Sequence, residues 1–578
     1  MRRATLVLAV VLLGGSTALG LSADGQCLTT SGKAAAKCLL QYVGSVERCR
    51  GAADATCEAD LRTEDGPLAG FLAGSQTLIA KRCSAENAVP LGYLALADID
   101  ARIAEACADW GEDSLGLVLA DERAALSPAA TQCQRAVAAT LRALGRKTLT
   151  EFGTKCYVNA FEGRRCDRVV RDARVGLARD RAVAMIVKRC GAEFDDLGKF
   201  APGLPGGTAA PLAQRVGSLV DTAVNHAKHF ALRVYPPNDL GPTADYGPYP
   251  IGITTLALSD PARTNVAGSG PRPVTVEVYY PSTAAAVAGV PKDIAVVLNV
   301  PVLETPAYRD VALAGGAPRP LVLFSHGNNG LRIQSFFFAA HLASHGYIVV
   351  SPDHHGNTFV DTLAGIVDPQ SAVNRPLDMR FLIDTFLAFN NDPSSRFAGA
   401  IDADAIGMSG HSFGGYTTLA LAGGSSVVGT FTDTRIKAIF PQAPAASGFS
   451  DAFFAAITVP TLIVGGSIDE TTPPAANQQR PFEDLPEGAA VVGYANLTDA
   501  GHFTFSDFCE VPRTLLGFLG GFQEACEPRH LPWRHAHDIV NYLSLNFFDA
   551  TLRGDAAALA RLAPATLATI EELTYQSK

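Results

Sequence analysis

Two kinds of hydrophobic pattern divide the chain. From residue 23 to about residue 200, apolar residues recur at helical spacing in a stretch rich in Ala, Leu and Arg, with no strand-like alternation. Further on the pattern changes. Val274-Thr-Val-Glu-Val-Tyr-Tyr280 alternates with a period of two, as an antiparallel edge strand does. Short unbroken apolar runs follow at Arg319–Ser325, Tyr347–Ser351, Ala405–Met408, Ile436–Pro441, Val459–Gly466 and Ala489–Tyr494. Runs of this length, rich in β-branched residues and closed by Gly or Pro, predict strands buried on both faces of a mostly parallel sheet. Between the two regions, Pro202-Gly-Leu-Pro-Gly-Gly207 marks a linker, and Leu212 to Phe230 reads as one amphipathic helix. The expected boundaries are a leader over 1–22, an all-α region over 23–197, a linker over 198–210, a connecting helix over 211–238 and an α/β domain over 239–578.

The leader has a charged start, Met1-Arg2-Arg3, an apolar core from Ala4 to Leu13, and small residues at Ala18-Leu19-Gly20. That is the form of a secretory signal peptide cut near Gly20. Its apolar core is short for a membrane span, and no other segment offers about 18 uninterrupted apolar residues. The expected mature protein is exported, without stable membrane insertion. Its 12 cysteines then read as disulfides. Zinc is the weaker reading, because the sequence has no Cys-x-x-Cys pair.

The helical region contains a duplication. Lys37-Cys38 through Cys49 matches Lys155-Cys156 through Cys166, and Ile79-Ala-Lys-Arg-Cys83 matches Ile186-Val-Lys-Arg-Cys190. Gln26-Cys27 and Gln132-Cys133 open the copies. Cys57 and Cys107 are left over in the first copy and are expected to pair; Cys509 is expected to pair with Cys526. Two small bundles stapled by disulfides fit this arrangement. An accessory role is expected for them, with a binding module for a surface or polymer as the alternative. A net charge of −10 argues against nucleic acid or anionic membrane as partners.

The candidate chemistry lies in Gly410-His-Ser412-Phe-Gly-Gly415. An apolar run leads into it and a small-residue helical stretch, Tyr416 to Ala422, follows. Strand, tight turn and helix with a serine at the apex form the nucleophile elbow of α/β-hydrolases. Ser412 needs a base and an orienting acid, which in this fold follow in the order acid, then histidine. Asp469 lies just past the run ending at Gly466, with Glu470 its neighbour and competitor; His502 follows the next strand. Two backbone N–H groups must hold an oxyanion. Phe413, the residue after the nucleophile, supplies one; Asn328 in His326-Gly-Asn-Asn-Gly330 supplies the other, with Asn329 the alternative. His326 is expected to pin that loop. Asp353-His354-His355 is expected to line the cleft rather than to bind a metal, and His535 and His537 to be capping or surface groups. Phe336-Phe337-Phe338 is expected in the core. The Phe503–His530 stretch is expected to form a disulfide-pinned loop near the mouth of the site. No metal or organic cofactor is needed.

Pro320 to Asn328, His341 to His354, the elbow and His502-Phe-Thr-Phe-Ser-Asp-Phe508 together resemble the plasma-type platelet-activating factor acetylhydrolases and the bacterial predicted dienelactone hydrolases. Asn374-Arg-Pro-Leu-Asp-Met-Arg is similar to a helix start of the bacterial branch. The resemblance spans about residues 245 to 555. It departs at the sixth strand, where the acetylhydrolases carry their acid and this chain has Gln442. The resemblance to dienelactone and polyester hydrolases instead puts the acid after the seventh strand, at Asp469. The function implied is a secreted serine hydrolase of carboxylic esters, short-chain, lipid or polyester. The alternatives are a serine peptidase of the same fold or a binding protein built on a hydrolase shell.

Overall fold

The computed structural model describes residues 21–52, 126–198 (except 165), 210–235, 240–510 (except 299) and 525–578 (except 528), with parts of 60–107. The expected signal peptide, nearly all of the expected linker, Cys57 and residues 511–524 of the expected loop lie outside the described residues. The chain divides into two compact units. One holds the chain up to Gly217 with Val234–Pro237, the other Ser218–Arg233 with Asn238–Lys578.

The first unit is helical. Its main helices are Ala23–Ala52, Pro67–Ile79, Pro128–Leu149 and Arg168–Cys190, with a π-helical stretch at Thr150–Tyr157. Local chemistry starts the second repeat's helices. Ser127 accepts a hydrogen bond from the Ala130 N–H at 3.0 Å with proline next in line, and Asp167 accepts from Val170 N–H at 3.0 Å. Val137, Leu144, Phe152 and Ile186 fill the interior. The disulfides Cys27–Cys83 and Cys133–Cys190 occupy matching places in the two repeats. The other pairs break the repeat: Cys156 bonds Cys166, but Cys38 bonds Cys107. This corrects the expected Cys57–Cys107 pair. Cys38 and Cys107 are both fully buried with Cα atoms 5.5 Å apart, which disulfide geometry requires and a cysteine count does not reveal.

The second unit is built on a sheet. Its strands are β1 (Ile251–Thr264), β2 (Pro271–Pro281), β3 (Ile294–Val297), β4 (Val300–Glu304), β5 (Ala307–Arg309), β6 (Arg319–Ser325), β7 (Ile348–Pro352), β8 (Ile401–His411), β9 (Ile436–Gln442), β10 (Thr461–Gly466), β11 (Val492–Leu497) and β12 (Leu573–Ser577). Ten of them form one sheet in the order β12-β11-β10-β9-β8-β6-β7-β2-β1-β5; β3 and β4 pair separately. Strands β7, β6, β8, β9, β10 and β11 run parallel, while β2 and β12 join them antiparallel. The chain leaves β6 for β7 on one side and returns to β8 on the other. A crevice opens outside the carboxyl ends of strands at such a switch point, so Ser325 and His411, the last residues of β6 and β8, point to the site.

Continuous burial of β6, β7 and β10 explains their unbroken apolar runs. Leu321, Leu323, Val350, Ile406, Met408, Ile439 and Ile463 belong to one core. The three phenylalanines at 336–338 open a helix, Phe336–Ser344, that is buried along its whole length. His535 and His537 are buried too, contrary to the surface role expected of them. Their helix, Trp533–Leu552, is apolar on most sides, so its first turn is enclosed. There the His537 ring stacks on Phe337 with centroids 3.5 Å apart, and His535 Nε2 lies 3.1 Å from Glu572 Oε2.

Candidate active site

Strand β8 ends at His411 and the helix Phe413–Ala420 begins two residues later. Ser412 takes the turn alone, at φ 58° and ψ −115°. A non-glycine residue there stores about 1–3 kcal/mol of strain. Its backbone is held on both sides: Ser412 N–H donates to Gln442 C=O at 3.0 Å, and Ala445 N–H donates to Ser412 C=O at 2.9 Å. The flanking glycines have steric causes. A Cβ on Gly410 would stand 2.7 Å from the Ser325 carbonyl oxygen, and one on Gly414 would collide with that same oxygen.

The structure brings Ser412, His502 and Asp469 into one line. His502 Nε2 is 2.8 Å from Ser412 Oγ, and His502 Nδ1 is 3.0 Å from Asp469 Oδ2. All three are buried. Asp469 accepts further hydrogen bonds from the Thr472 N–H at 2.6 Å and the Thr472 hydroxyl at 2.7 Å. With the carboxylate facing Nδ1, the network assigns the imidazole proton to that nitrogen and leaves Nε2 free to face the serine. Glu470 points elsewhere: it is exposed and pairs with Arg529 at 2.9 Å.

The loop after β6 lies across from the elbow. His326 is buried; its Nε2 accepts the His354 N–H at 3.1 Å, so its Nδ1 carries the proton and donates to Gly327 C=O at 2.6 Å. It pins the loop, as expected. Asn328 is exposed, and its side-chain oxygen accepts from Asn357 at 2.8 Å. Asn329 adopts φ 53° and accepts from the Thr362 hydroxyl at 2.9 Å. Phe413, at the first helical position, has an N–H with no intrahelical acceptor.

Several groups at the site have no signature in the sequence. Thr472 is one. Gln334 is another: it takes the Gly327 N–H on its oxygen at 2.9 Å and offers its amide to His411 Nδ1 at 2.8 Å. His411 Nε2 then donates to the His502 carbonyl at 2.9 Å. Burial and the nearby His502 hold His411 well below the usual histidine range, so it is neutral and can play both parts. Beneath the loop lies a buried polar cluster. His354 does not line the cleft. It is fully buried, with Nδ1 2.9 Å from Asp378 Oδ2 and Nε2 2.9 Å from Ser325 Oγ, and burial pushes it down to about 3. Burial alone would raise the Asp378 carboxyl, but His354 and Arg272, the latter 2.7 Å away, bring it well below the usual range. Asp353 instead pairs with Arg332. Among the described residues, no group of three or more His, Cys, Asp or Glu is placed to hold a metal.

Residues 329–515 match the family model described as PET hydrolase-like, and residues 245–375 match that of platelet-activating factor acetylhydrolase, isoform II. Among curated proteins the chain is similar to Cutinase est1 of Thermobifida alba, 29% identical over 182 residues, or 32% of this chain and 53% of that protein. It is also similar to Cutinase 1 of Thermobifida cellulosilytica, 26% identical over 196 residues, 34% of this chain and 63% of that protein. The chain thus spans a little over half the length of these curated relatives. Among solved structures, a ferulic acid esterase from Streptomyces cinnamoneus aligns at 23% identity and a TM-score of 0.40, over 57% of this chain and 97% of that one. The two family matches between them cover the loop after β6, the elbow, Asp469 and His502, and with the strand order they identify this unit as a member of the α/β-hydrolase superfamily, resembling the platelet-activating factor acetylhydrolases.

Proposed function

We propose that the chain is an exported serine hydrolase of carboxylic esters. The observation that carries the reading is the hydrogen-bonded line Asp469–His502–Ser412 at 3.0 and 2.8 Å, mounted on a strained elbow. His502 Nε2 takes the Ser412 proton as Oγ attacks the ester carbonyl. Asp469 stabilises the imidazolium that forms. The N–H groups of Phe413 and Asn328 receive the negative oxygen. His502 returns the proton to the departing alcohol, and water then cleaves the acyl-enzyme by the same steps in reverse. The names of the matched families and relatives agree on ester substrates and differ in acyl and alcohol parts, which supports the bond type more than any one substrate. Export is supported by the leader sequence and by the disulfides. The helical unit is read as an accessory.

A fluorophosphonate probe should label Ser412 in the full-length protein, and Ser412→Ala should abolish both labelling and turnover of nitrophenyl esters. A series from acetyl to palmitoyl then reads the acyl preference. Labelling of another serine, or turnover that survives Ser412→Ala, would sink the proposal.

A further inference from the structure

One fully buried cation touches both halves of the proposed oxyanion hole. Arg375 stands in the helix Ser371–Asn391 with 0% exposure. Its hydrogen bonds end on neutral oxygens. Nε donates to Thr417 Oγ1 at 3.2 Å, and Nη1 donates to Asn357 Oδ1 at 2.5 Å and to the Gly327 carbonyl at 3.5 Å. Nη2 donates to Ser325 Oγ at 3.0 Å and to the His326 carbonyl. The guanidinium also lies 4.7 Å from the centroid of the Phe413 ring. Burial pushes it down to about 9, with Asp378 raising it and Arg272 lowering it further, so it stays charged at neutral pH. A buried cation whose bonds all go to neutral groups is expensive, and an apolar side chain there would serve stability as well or better. What the charge secures lies in what it holds.

It holds the loop. The chain has no cis peptide among its described bonds. In a trans peptide the carbonyl of one residue and the N–H of the next point in opposite directions. Arg375 and His326 both bind the Gly327 carbonyl, so together they fix the direction of the Asn328 N–H, away from themselves. Asn357 extends the grip: it accepts from Arg375 and donates to the Asn328 side chain at 2.8 Å. The other donor, Phe413, packs its ring on the same guanidinium.

We infer that Arg375 is the positioning residue of the oxyanion hole, aiming the Asn328 N–H and backing the hole with a fixed positive charge. This rests on the ester-hydrolase reading above. Preorganised donors and charge in a dry site act on the transition state and little on the bound ester. The consequence is a defect in kcat rather than in KM.

The test uses full-length Arg375→Met and Arg375→Lys proteins, with Ser412→Ala in parallel. Nitrophenyl ester kinetics are measured across pH, together with inhibition by a trifluoromethyl ketone, which forms a charged tetrahedral adduct. Arg375→Met should lower kcat about a hundredfold, the scale of one lost oxyanion donor, with KM within about threefold. Affinity for the ketone should fall in parallel. The acid limb of the pH profile should stay in place, because His502 is untouched. Arg375→Lys keeps the charge and loses the planar fork, so it should recover about tenfold of the loss. If Arg375→Met does not fold, Arg375→Lys carries the same test, with kcat down about tenfold at unchanged KM. Arg375 variants that keep kcat within about threefold, that change KM alone, or that move the acid limb would overturn the inference. Wild-type turnover in Ser412→Ala would instead remove the ester reading itself, whatever Arg375 does.

Discussion

The two units hold themselves together by different means. Among the described residues the helical unit carries four disulfides, Cys27–Cys83, Cys38–Cys107, Cys133–Cys190 and Cys156–Cys166, and the sheet unit one, Cys509–Cys526. The sheet unit buries whole strands and the whole helix Phe336–Ser344, whereas no main helix of the helical unit is buried along its length. Small bundles bury too little apolar surface to offset chain entropy and depend on covalent staples. A ten-stranded sheet has apolar burial to spare. It places Arg272, Arg375, Asp378 and His354 in its interior beneath the site. Cross-links that restrict the unfolded chain support the first unit; burial supports the second, and there it also encloses the polar groups beneath the proposed site.

The contrast breaks most sharply at Ser412. Ser412→Ala should lower kcat/KM by about a millionfold, the scale for losing a triad nucleophile, while both units melt as in the wild type. Asp469→Asn should cost about ten-thousandfold in kcat, since an amide favours the wrong imidazole tautomer, and Glu470→Gln should leave kcat within about twofold. Damage from Glu470→Gln rather than Asp469→Asn would move the acid one residue along.

Stability should separate the units next. Removing one staple with Cys133→Ala and Cys190→Ala together should destabilise the helical unit by about 4 kcal/mol in denaturant titration, from the entropy of its 57-residue loop. Ester turnover should not change; a fall in turnover would tie the two units together functionally.

Acid should act on the two units in different pH windows. All 12 histidines lie at or beyond His226, so the helical unit has none. Burial holds His354, His530 and His537 at about 3 when folded, against an ordinary value of 6.5. The unfolded chain binds their protons first, so the stability they confer is complete above pH 6.5 and is lost as pH falls toward 3. In the helical unit, burial would raise Glu151, but Lys147 and Lys155 bring it to about 2, so its contribution is lost only below 4.5. Calorimetry between pH 7 and pH 5 should show the sheet unit's transition moving down and the helical unit's standing still.

The smallest effect is at Thr472. Thr472→Val removes the hydroxyl 2.7 Å from Asp469 and keeps the backbone donor, and kcat should fall about tenfold, the worth of one hydrogen bond to a charged group. A change in KM alone would place Thr472 outside the triad's support.

Much of the sheet is legible in the sequence, because buried parallel strands have no alternation to hide. Arg319–Ser325 is read to the residue. The strands that escape are β1, which is paired on its outer side only over Ile251–Ile253, and edge or local ones. In β12, Leu573 is buried while the rest of the strand is largely exposed, and β3 to β5 are three to five residues long. Ser412, Asp469 and His502 stand out because each follows a strand in a fixed order. The hydrogen bonds of Gln334 to His411, of His411 to the His502 carbonyl and of Arg375 to the Gly327 carbonyl span 77, 91 and 48 residues, for which no local pattern exists. Cys107 shows the same limit, since the repeat gave it no match to follow and its partner is set by packing alone.

The series from Gly327 through Gln334 and His411 to the His502 carbonyl governs lifetimes as well as geometry. Each member is buried and each bond uses a donor or acceptor that would otherwise stand alone. Neither the loop after β6 nor the one that carries His502 can swing out without orphaning a group on the other. Their openings are therefore one event. Arrangements with one loop in place and the other displaced become the rarest members of the native ensemble.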